Sequence, residues 1–177
     1  IYVMPCDQRP EKVVSALSFH GVRVIPLRDL EAAEPKLLKA KQSRTAQEYF
    51  WTLGSQLAQY VMQKFGPPSL TYIDADMMIF SDPGEALAAF GDKSIVITPH
   101  NFPDSKKDYE VNGKYCVSWV SWRNDPIGLE CLATWAEQCL DWCYYRHENG
   151  KFADQKYLDD WPVRYGQHLF VASDMAI

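Results

Sequence analysis

The chain has 177 residues, 47% of them hydrophobic and 14% aromatic, which is enough for a single domain with a buried core. Its formal net charge of −5 argues against nucleic acid as the main partner. No apolar run reaches the length of a membrane span, and no signal peptide is visible. Because the chain begins with Ile1 instead of methionine, we expect that an N-terminal segment was trimmed or left out.

The five cysteines are an odd number without the spacing of a disulfide framework. They predict reduced, buried thiols in a cytoplasmic protein. Cys139 and Cys143 lie one helical turn apart, a spacing that could hold a metal ion. Cys139 also continues the apolar stripe of its predicted helix, which favours a role in the core.

The first part of the chain alternates between strands and helices. Apolar runs predict strands at 1–5 and 22–26, and helical periodicity predicts helices at 10–18 and 34–40. A longer helix opens at 45–48 and is expected to end near Phe65. Thr45 and Glu48 have the spacing of a capping box, and glycine followed by two prolines ends the helix.

The remaining elements complete an α/β pattern. A buried strand is predicted at 70–74, and residues 81–83 (SDP) begin a short helix with an N-cap and a proline in the first turn. The other predicted elements are a strand at 94–98, a β-hairpin over 109–122 that turns at Asn112-Gly113, a helix from Asn124-Asp125-Pro126 to about Tyr145, and a short helix at 154–161. Together they predict one domain over 1–177, with a mixed, mostly parallel sheet flanked by helices.

Two carboxylates follow the predicted strand at 70–74, in the run Leu70–Asp76. Ligands of parallel sheets bind beyond the carboxyl ends of the strands, where Asp74 and Asp76 would lie. Two neighbouring carboxylates repel each other unless a cation lies beside them, and oxygen ligands favour Mg²⁺ or Mn²⁺. The alternative is a turn or helix cap, since Asp is common in both places.

Other polar residues have both a functional and a structural interpretation. Lys41 and Arg44 precede a helix N-terminus and could hold a diphosphate, or could form a solvated basic turn. His100 follows a strand, where it could contact a ligand or belong to the turn. Asp154 could act in a site or only cap the helix that follows it.

Several segments together resemble the GT-A nucleotide-diphospho-sugar transferases. The resemblance is strongest to the bacterial, glycogenin- and galactosyltransferase-like branch met in surface polysaccharide synthesis, and it covers most of residues 1–162. The segments that carry it are 41–45 (KQSRT), 48–52 (EYFWT), 71–76 (TYIDAD), 81–83 (SDP), 98–100 (TPH) and 152–158 (FADQKYL).

The resemblance implies a Rossmann-like GT-A fold and a metal-dependent sugar transfer. Asp76 would coordinate Mn²⁺ (or Mg²⁺) bound to the donor diphosphate, and Asp74 would share that metal and contact the ribose. Arg44 and Lys41 would neutralise the diphosphate, and His100 would belong to the same donor site. Asp154 would bond sugar hydroxyls, and Gln155 would lie near the anomeric carbon, which favours retention of configuration.

The implied partners are a nucleotide-diphosphate sugar donor and a saccharide or lipid-linked acceptor. Such an acceptor implies a cytoplasmic protein with peripheral association at the inner membrane face. Oligomeric state follows from neither the resemblance nor the composition.

The chain departs from the family pattern in three places. Cys116 and Ser118 stand where the family usually has Asn and Gly. The family's opening nucleotide-binding strand is expected to be missing from the start of the chain, before Ile1. The family's C-terminal Gly-x-His metal motif is not visible before Ile177.

Two other functions stay open: a domain that binds sugar nucleotides without turnover, and a haloacid-dehalogenase-like phosphohydrolase. The latter expects Thr or Val where Met78 stands.

Overall fold

A computed structural model describes residues 1–80, 82–88 and 90–173. The architecture is α/β, with a mixed sheet flanked by helices, as predicted. In the described part, the helices are α1 (Gln8–Leu17), α2 (Leu27–Ala33), α3 (Lys36–Ser43), α4 (Ala46–Phe65), α5 (Pro83–Ala88), α6 (Pro126–Asp141) and α7 (Trp161–Tyr165), with 3₁₀ helices at Asp104–Asn112, Gln155–Asp160 and Gly166–His168.

Two sheets are formed by the described strands. In the smaller one, β1 (Tyr2–Val3) pairs in parallel with β2 (Arg23–Val24). The larger one, called the main sheet below, has the order β3-β5-β4-β6. Its strands are β3 (Ser69–Ile73), β4 (Ile95–Pro99), β5 (Tyr115–Arg123) and β6 (Leu169–Val171).

The strand directions correct one prediction. β5 runs antiparallel to both β3 and β4, and only the pair β4–β6 is parallel in the main sheet. The main sheet is therefore mostly antiparallel, not mostly parallel. The reason is the link from β4 to β5, which holds a 3₁₀ helix but no α-helix that could carry the chain back for a parallel crossover.

The predicted β-hairpin over 109–122 is also wrong in its first arm. Residues Asp104–Asn112 form a 3₁₀ helix, and β5 pairs with β4 and β3 instead. The segment is strongly polar and lacks the alternation that would bury one face of a strand. Gly113, at φ 142°, leads the chain out of the 3₁₀ helix into β5.

The longest helix forms as its end signals predict. The Thr45 hydroxyl accepts the Glu48 amide, the Glu48 carboxylate accepts the Thr45 amide, and Gly66 ends α4 in the left-handed region at φ 56°. α6 begins within its predicted start segment, with Asp125 as the N-cap, but ends at Asp141, short of Tyr145. Ser81, in the predicted start segment of the short helix, lies outside the described residues.

Three tryptophans form the centre of the main core. Trp122 of β5 stacks on Trp135 of α6 with ring centroids 5.6 Å apart, and Trp161 meets both edge-on at 6.5 and 6.2 Å. α4 and α6 pack on each other, α6 also on β5, and α4 on β3. A second, smaller core joins α2, α3 and α4 around Leu30, Leu37 and Leu53. Within the described ranges, the helices fall short of the length and apolar character needed to cross a membrane.

Gly128 allows the first turn of α6 to pack against the end of β5. A Cβ at this position would lie 2.2 Å from the carbonyl oxygen of Arg123. Gly128→Ala should therefore lower the free energy of unfolding by about 1–3 kcal/mol, since backbone must move to relieve the overlap. Urea unfolding measures the loss. Glu137→Ala, on the exposed face of the same helix, should change it by less than about 0.5 kcal/mol; similar losses in both variants would contradict this packing.

Candidate functional site

The candidate site lies at one edge of the main sheet, where β3 and β4 end and β5 begins. Because β5 is antiparallel to both neighbours, its first residues lie beside their last ones. The backbone N–H of Asp74 donates to the Ser118 carbonyl at 3.2 Å, and that of His100 donates to the Lys114 carbonyl at 3.0 Å. Topology thus brings three distant parts of the sequence together.

Asp74 is half-buried at the end of β3, and the Tyr72 hydroxyl donates to its Oδ1 at 2.8 Å. Burial raises the pKa of the Asp74 carboxyl, and the charge of Asp76 adds to the rise while the Tyr72 bond opposes it. Asp76 is exposed on the turn that follows. Neither carboxylate forms a salt bridge with a described residue.

Asp154 forms the buried wall of the site and is only 7% exposed. Burial raises the pKa of its carboxyl to about 7, and the charge of Asp74 contributes to the rise. The preceding Ala153 holds a left-handed φ of 48°, a strained conformation for a residue with a side chain. The Trp135 indole N–H donates to the Asp154 carbonyl at 3.0 Å and fixes this turn from the core side.

Gln155 connects this wall to the loop before β5. Its Nε2 donates to the Asn112 carbonyl at 3.0 Å, and a Cβ on Gly113 would lie 3.1 Å from its Cγ. The amide also lies close enough to His100 to raise the pKa of that imidazole, an effect in which the Cys116 thiol is the larger cause. Asp154 therefore lies near Asp74, and Gln155 lies near His100.

A cavity of about 230 Å³ opens beside these residues. Met77 from the turn after β3 and His100 from the end of β4 line it, with Cys116, Ser118 and Trp119 from β5. The Cys116 sulfur and the Ser118 hydroxyl lie 2.9 Å apart. Ser118 therefore lines the cavity with its side chain and also accepts the Asp74 backbone N–H with its carbonyl.

Lys41 and Arg44 lie elsewhere in the fold. The Arg44 guanidinium is buried and donates to the Cys139 and Leu140 carbonyls, at 2.8 and 2.7 Å, near the end of α6. Lys41 pairs with Glu31 at 2.7 Å. No described contact joins either cation to Asp74, so the structure gives both a place in the helical layer, and their donor-binding role stays a prediction.

Asp74 and Asp76 are the candidate metal ligands at this site. Within the described residues, no group of three or more His, Cys, Asp or Glu side chains is placed to hold a metal ion. Asp74 and Asp76 could supply part of an oxygen ligand set, which phosphate oxygens or water would complete. Cys139 and Cys143 are free thiols in the core, as the cysteine pattern predicts.

Tyr72 is a site residue that the sequence analysis missed. It lies two positions before Asp74, so the strand periodicity places both side chains on one face of β3. Cys116 was noticed only as a departure from a family pattern. Its proximity to His100 depends on strand pairing, for which the sequence carries no local signal.

The chain is similar to two proteins of Bacillus subtilis (strain 168). It is 29% identical over 174 residues to the uncharacterized protein YfnD, an alignment that covers 96% of this chain and 55% of YfnD. It is 30% identical over 169 residues to the uncharacterized protein YfnF, covering 90% and 54%. The chain thus spans about half the length of the curated relatives it matches. No family model matches it, and no solved structure does.

The raised pKa of Asp154 predicts a pH-dependent stability. An unfolded carboxyl titrates near pH 3.9, whereas the folded one titrates near 7. The folded state therefore binds the extra proton between these values, and stability is lost as the pH rises through about 7. Asp154→Asn has no carboxyl to titrate and should not show this loss. In metal-free buffer, the free energy of unfolding of Asp154→Asn relative to that of the wild type should therefore rise by up to about 4 kcal/mol from pH 4 to pH 8.

Urea unfolding at both pH values measures that difference. Asp108→Asn, which alters an exposed carboxylate on the 3₁₀ helix, serves as the control and should track the wild type. A stability difference between Asp154→Asn and the wild type that stays constant from pH 4 to pH 8 would contradict a neutral, buried Asp154.

The contacts of Arg44 predict a structural penalty. Arg44→Met leaves buried carbonyl oxygens at the end of α6 without a donor, and should cost about 2–4 kcal/mol in urea unfolding. Lys41→Met breaks an ion pair whose lysine is half exposed and should cost at most about 1 kcal/mol. Equal losses in the two variants would show that Arg44 does not hold α6.

Proposed function

We propose that this protein is a metal-dependent glycosyltransferase with a GT-A layered fold. It would move a sugar from a nucleotide-diphosphate donor to a saccharide or lipid-linked acceptor, as in the synthesis of surface polysaccharides. The observation that carries the proposal is that Asp74 and Asp76 follow the end of β3, while the buried carboxyl of Asp154 lies close enough for the charge of Asp74 to raise its pKa.

The donor set fits a divalent cation that arrives with a diphosphate. Asp76 and Asp74 present carboxylate oxygens without a salt-bridge partner among the described residues, and oxygen is the ligand that Mn²⁺ and Mg²⁺ prefer. When bound, the metal ion would stabilise the negative charge of the departing nucleoside diphosphate. Two protein ligands suit this role, because phosphate oxygens fill the other positions.

The surrounding side chains have distinct roles in this proposal. The Tyr72 hydroxyl holds one oxygen of Asp74 and leaves the other for a ligand. Asp154, with a pKa near 7, can donate or accept a hydrogen bond to a sugar hydroxyl at neutral pH. Gln155 follows it on the same wall and would lie near the anomeric carbon.

His100 is the cation that the site itself offers to the donor. The pKa of its imidazole is raised, chiefly by the Cys116 thiol, which favours the charged form near neutral pH. A charged imidazole would attract phosphate oxygens. This assigns to His100 part of the role that the sequence resemblance gave to Arg44, whose guanidinium bonds the end of α6.

A second function is favoured by one specific observation. Ser118 and Cys116 line the cavity beside Asp74, where the family usually has the smaller Gly and a sugar-binding Asn. The larger side chain narrows the space for a donor sugar, and the loss of Asn removes a contact. A domain that binds sugar nucleotides without turnover would tolerate both changes.

Metal-dependent donor binding tests the proposal. With Mn²⁺, one of a panel of UDP-, GDP- and CDP-linked sugars should raise the thermal unfolding midpoint, since a ligand at one hundred times its Kd adds about 2.7 kcal/mol. Chelation should abolish the shift, and Asp76→Asn should lose most of it because a metal ligand is gone. Asp104→Asn, at an exposed carboxylate, is the matched control and should keep it.

Two further outcomes decide between the functions. Equal shifts in Asp76→Asn and the wild type would overturn the metal assignment. Release of nucleoside diphosphate from the stabilising donor supports transfer, whereas stable binding with no release during prolonged incubation supports the binding domain.

A further inference from the structure

Three polar side chains, Cys116, Ser118 and His100, line the cavity beside Asp74, and the proposed sugar transfer leaves the first two unused. Cys116 and Ser118 project from β5, with sulfur and hydroxyl 2.9 Å apart. His100 reaches the same cavity from the end of β4. The pairing of Thr98 with Cys116 in the sheet brings the two strands together at this point.

The imidazole of His100 lines the same cavity as the thiol and stacks on the Phe102 ring, with centroids 4.7 Å apart. Its Nε2 is shielded from solvent and has no hydrogen-bond partner among the described residues. The thiol of Cys116 is nevertheless the main cause of the raised pKa of His100, ahead of the amide of Gln155 and the charge of Asp159. A shielded ring nitrogen without an aligned partner, next to a thiol, is suited to hold the proton that the thiol gives up.

The thiol responds in the opposite direction. Burial by itself raises the pKa of Cys116, but the interactions with His100 and with the Ser118 hydroxyl outweigh it and bring the pKa below the ordinary cysteine value. Thiolates are the reactive form of cysteine, and a neighbouring imidazolium is one of the environments that produce them.

The other cysteines lack such an environment. Cys6 is exposed, but the partial burial of its sulfur and the charge of Asp7 raise its pKa. Burial raises the pKa of Cys131 to about 12 and also raises that of Cys139. Cys143 is buried in the core. The chain therefore contains its own controls for thiol reactivity.

We propose that Cys116 is a nucleophilic thiolate that reacts with small electrophiles entering the 230 Å³ cavity, with hydroperoxides as the class of oxidant and a sulfenic acid as the product. The proposal depends on the cavity, the Cys116–Ser118 contact and the shielded His100 nitrogen. It does not rest on the proposed sugar transfer, because the chemistry needs neither a metal ion nor a nucleotide.

The oxidation step is balanced by groups that the cavity holds. The sulfur attacks one peroxide oxygen, so that an S–O bond forms as the O–O bond breaks. Sulfur loses two electrons, the peroxide gains them, and the departing alkoxide or hydroxide takes the proton from the His100 imidazolium. The products are the sulfenic acid, an alcohol or water, and neutral His100. The Ser118 hydroxyl can donate to the thiolate before the reaction and to the new oxygen after it.

A modified Cys116 would also change the neighbouring carboxylate site. Ser118 accepts the backbone N–H of Asp74 through its carbonyl and contacts the sulfur through its hydroxyl. An added oxygen or a larger adduct would take up part of the cavity on that side. Thiol modification would therefore impede any ligand that reaches Asp74 through the cavity.

Competitive alkylation of the intact chain tests the proposal directly. Wild-type protein is treated with limiting iodoacetamide from pH 6.5 to pH 9.5, and peptide mass spectrometry gives the rate at each cysteine. At pH 7, Cys116 should react about tenfold faster than the more exposed Cys6, because a thiol with a lowered pKa is more often a thiolate than one with a raised pKa. The ratio should shrink towards pH 9.5 as Cys6 ionises, and Cys131, Cys139 and Cys143 should stay unlabelled.

Two variants test whether the reactivity of Cys116 depends on the His100 imidazole or only on the exposure of the thiol. His100→Gln should slow Cys116 labelling about tenfold at pH 7 and leave Cys6 unchanged, while Ser118→Ala should slow it less. If His100→Gln fails to fold, the wild-type ratio and its pH dependence still decide. Cys6 labelling that equals or exceeds Cys116 labelling at pH 7 would overturn the proposal, as would a ratio that does not change with pH.

The oxidation product has its own readout. With a hydroperoxide and dimedone, the trapped sulfenic acid should appear on Cys116 in preference to Cys6, and Cys116→Ser should lose that adduct and keep the wild-type unfolding curve. Alkylation at Cys116 without any dimedone adduct would overturn the hydroperoxide assignment. Neither the alkylation rate nor the dimedone adduct depends on stabilisation by a sugar-nucleotide donor. A failure of the proposed sugar transfer can therefore be distinguished from a failure of the thiolate proposal.

Discussion

The hydrogen bond from the Trp135 indole to the Asp154 carbonyl connects the core of this protein to its candidate site. Trp135 is fully buried between Trp122 and Trp161, so its N–H can point in one direction only. The strained turn at Ala153 is held because the tryptophan cluster fixes it from one side. Since losing a buried tryptophan typically costs about 3–5 kcal/mol, the position of Asp154 depends on the same packing that stabilises the fold. The geometry of the candidate site therefore depends on the packing of the core.

The charge distribution follows from where the fold places its cations. Arg44, the buried guanidinium, bonds the end of α6, and Lys41 pairs with Glu31 on the helical layer. Asp74 and Asp154 are left in a partly desolvated region, where burial raises the pKa of both carboxyls, the charge of Asp76 adds to the rise at Asp74, and the charge of Asp74 adds to the rise at Asp154. That is an unfavourable arrangement for the protein alone, and a bound cation would relieve it. The electrostatic argument for a divalent metal ion therefore stands apart from the family resemblance.

Local signals predicted the elements that they control and little else. The capping box at Thr45 and Glu48 determines where α4 begins, and Gly66 determines where it ends, because each acts within one helical turn. Asp125 predicts the start of α6 for the same reason. Strand direction depends on partners far apart in the sequence, so the turn signal at Asn112-Gly113 was assigned to a hairpin that does not form. Among the predicted site residues, Asp154 lies near Asp74 and Gln155 lies near His100, while Lys41 and Arg44 belong to the helical layer.

The proximity of Cys116 and His100 shows most clearly what the sequence could not predict. In the pairing of β4 with β5, Ile97 lies opposite Val120, yet the next residue, Thr98, lies opposite Cys116. Residues 117–119 of β5 therefore have no register partner on β4, while the pairing with β3 continues through the pair Ile73–Trp119 and the bond from Asp74 to Ser118. Without this bulge, Thr98 would lie opposite Trp119, and Cys116 would lie beyond His100 on the strand. An odd number of inserted residues also exchanges the faces of a strand, so one irregularity in the pairing of β4 with β5 sets the position of the thiol relative to His100.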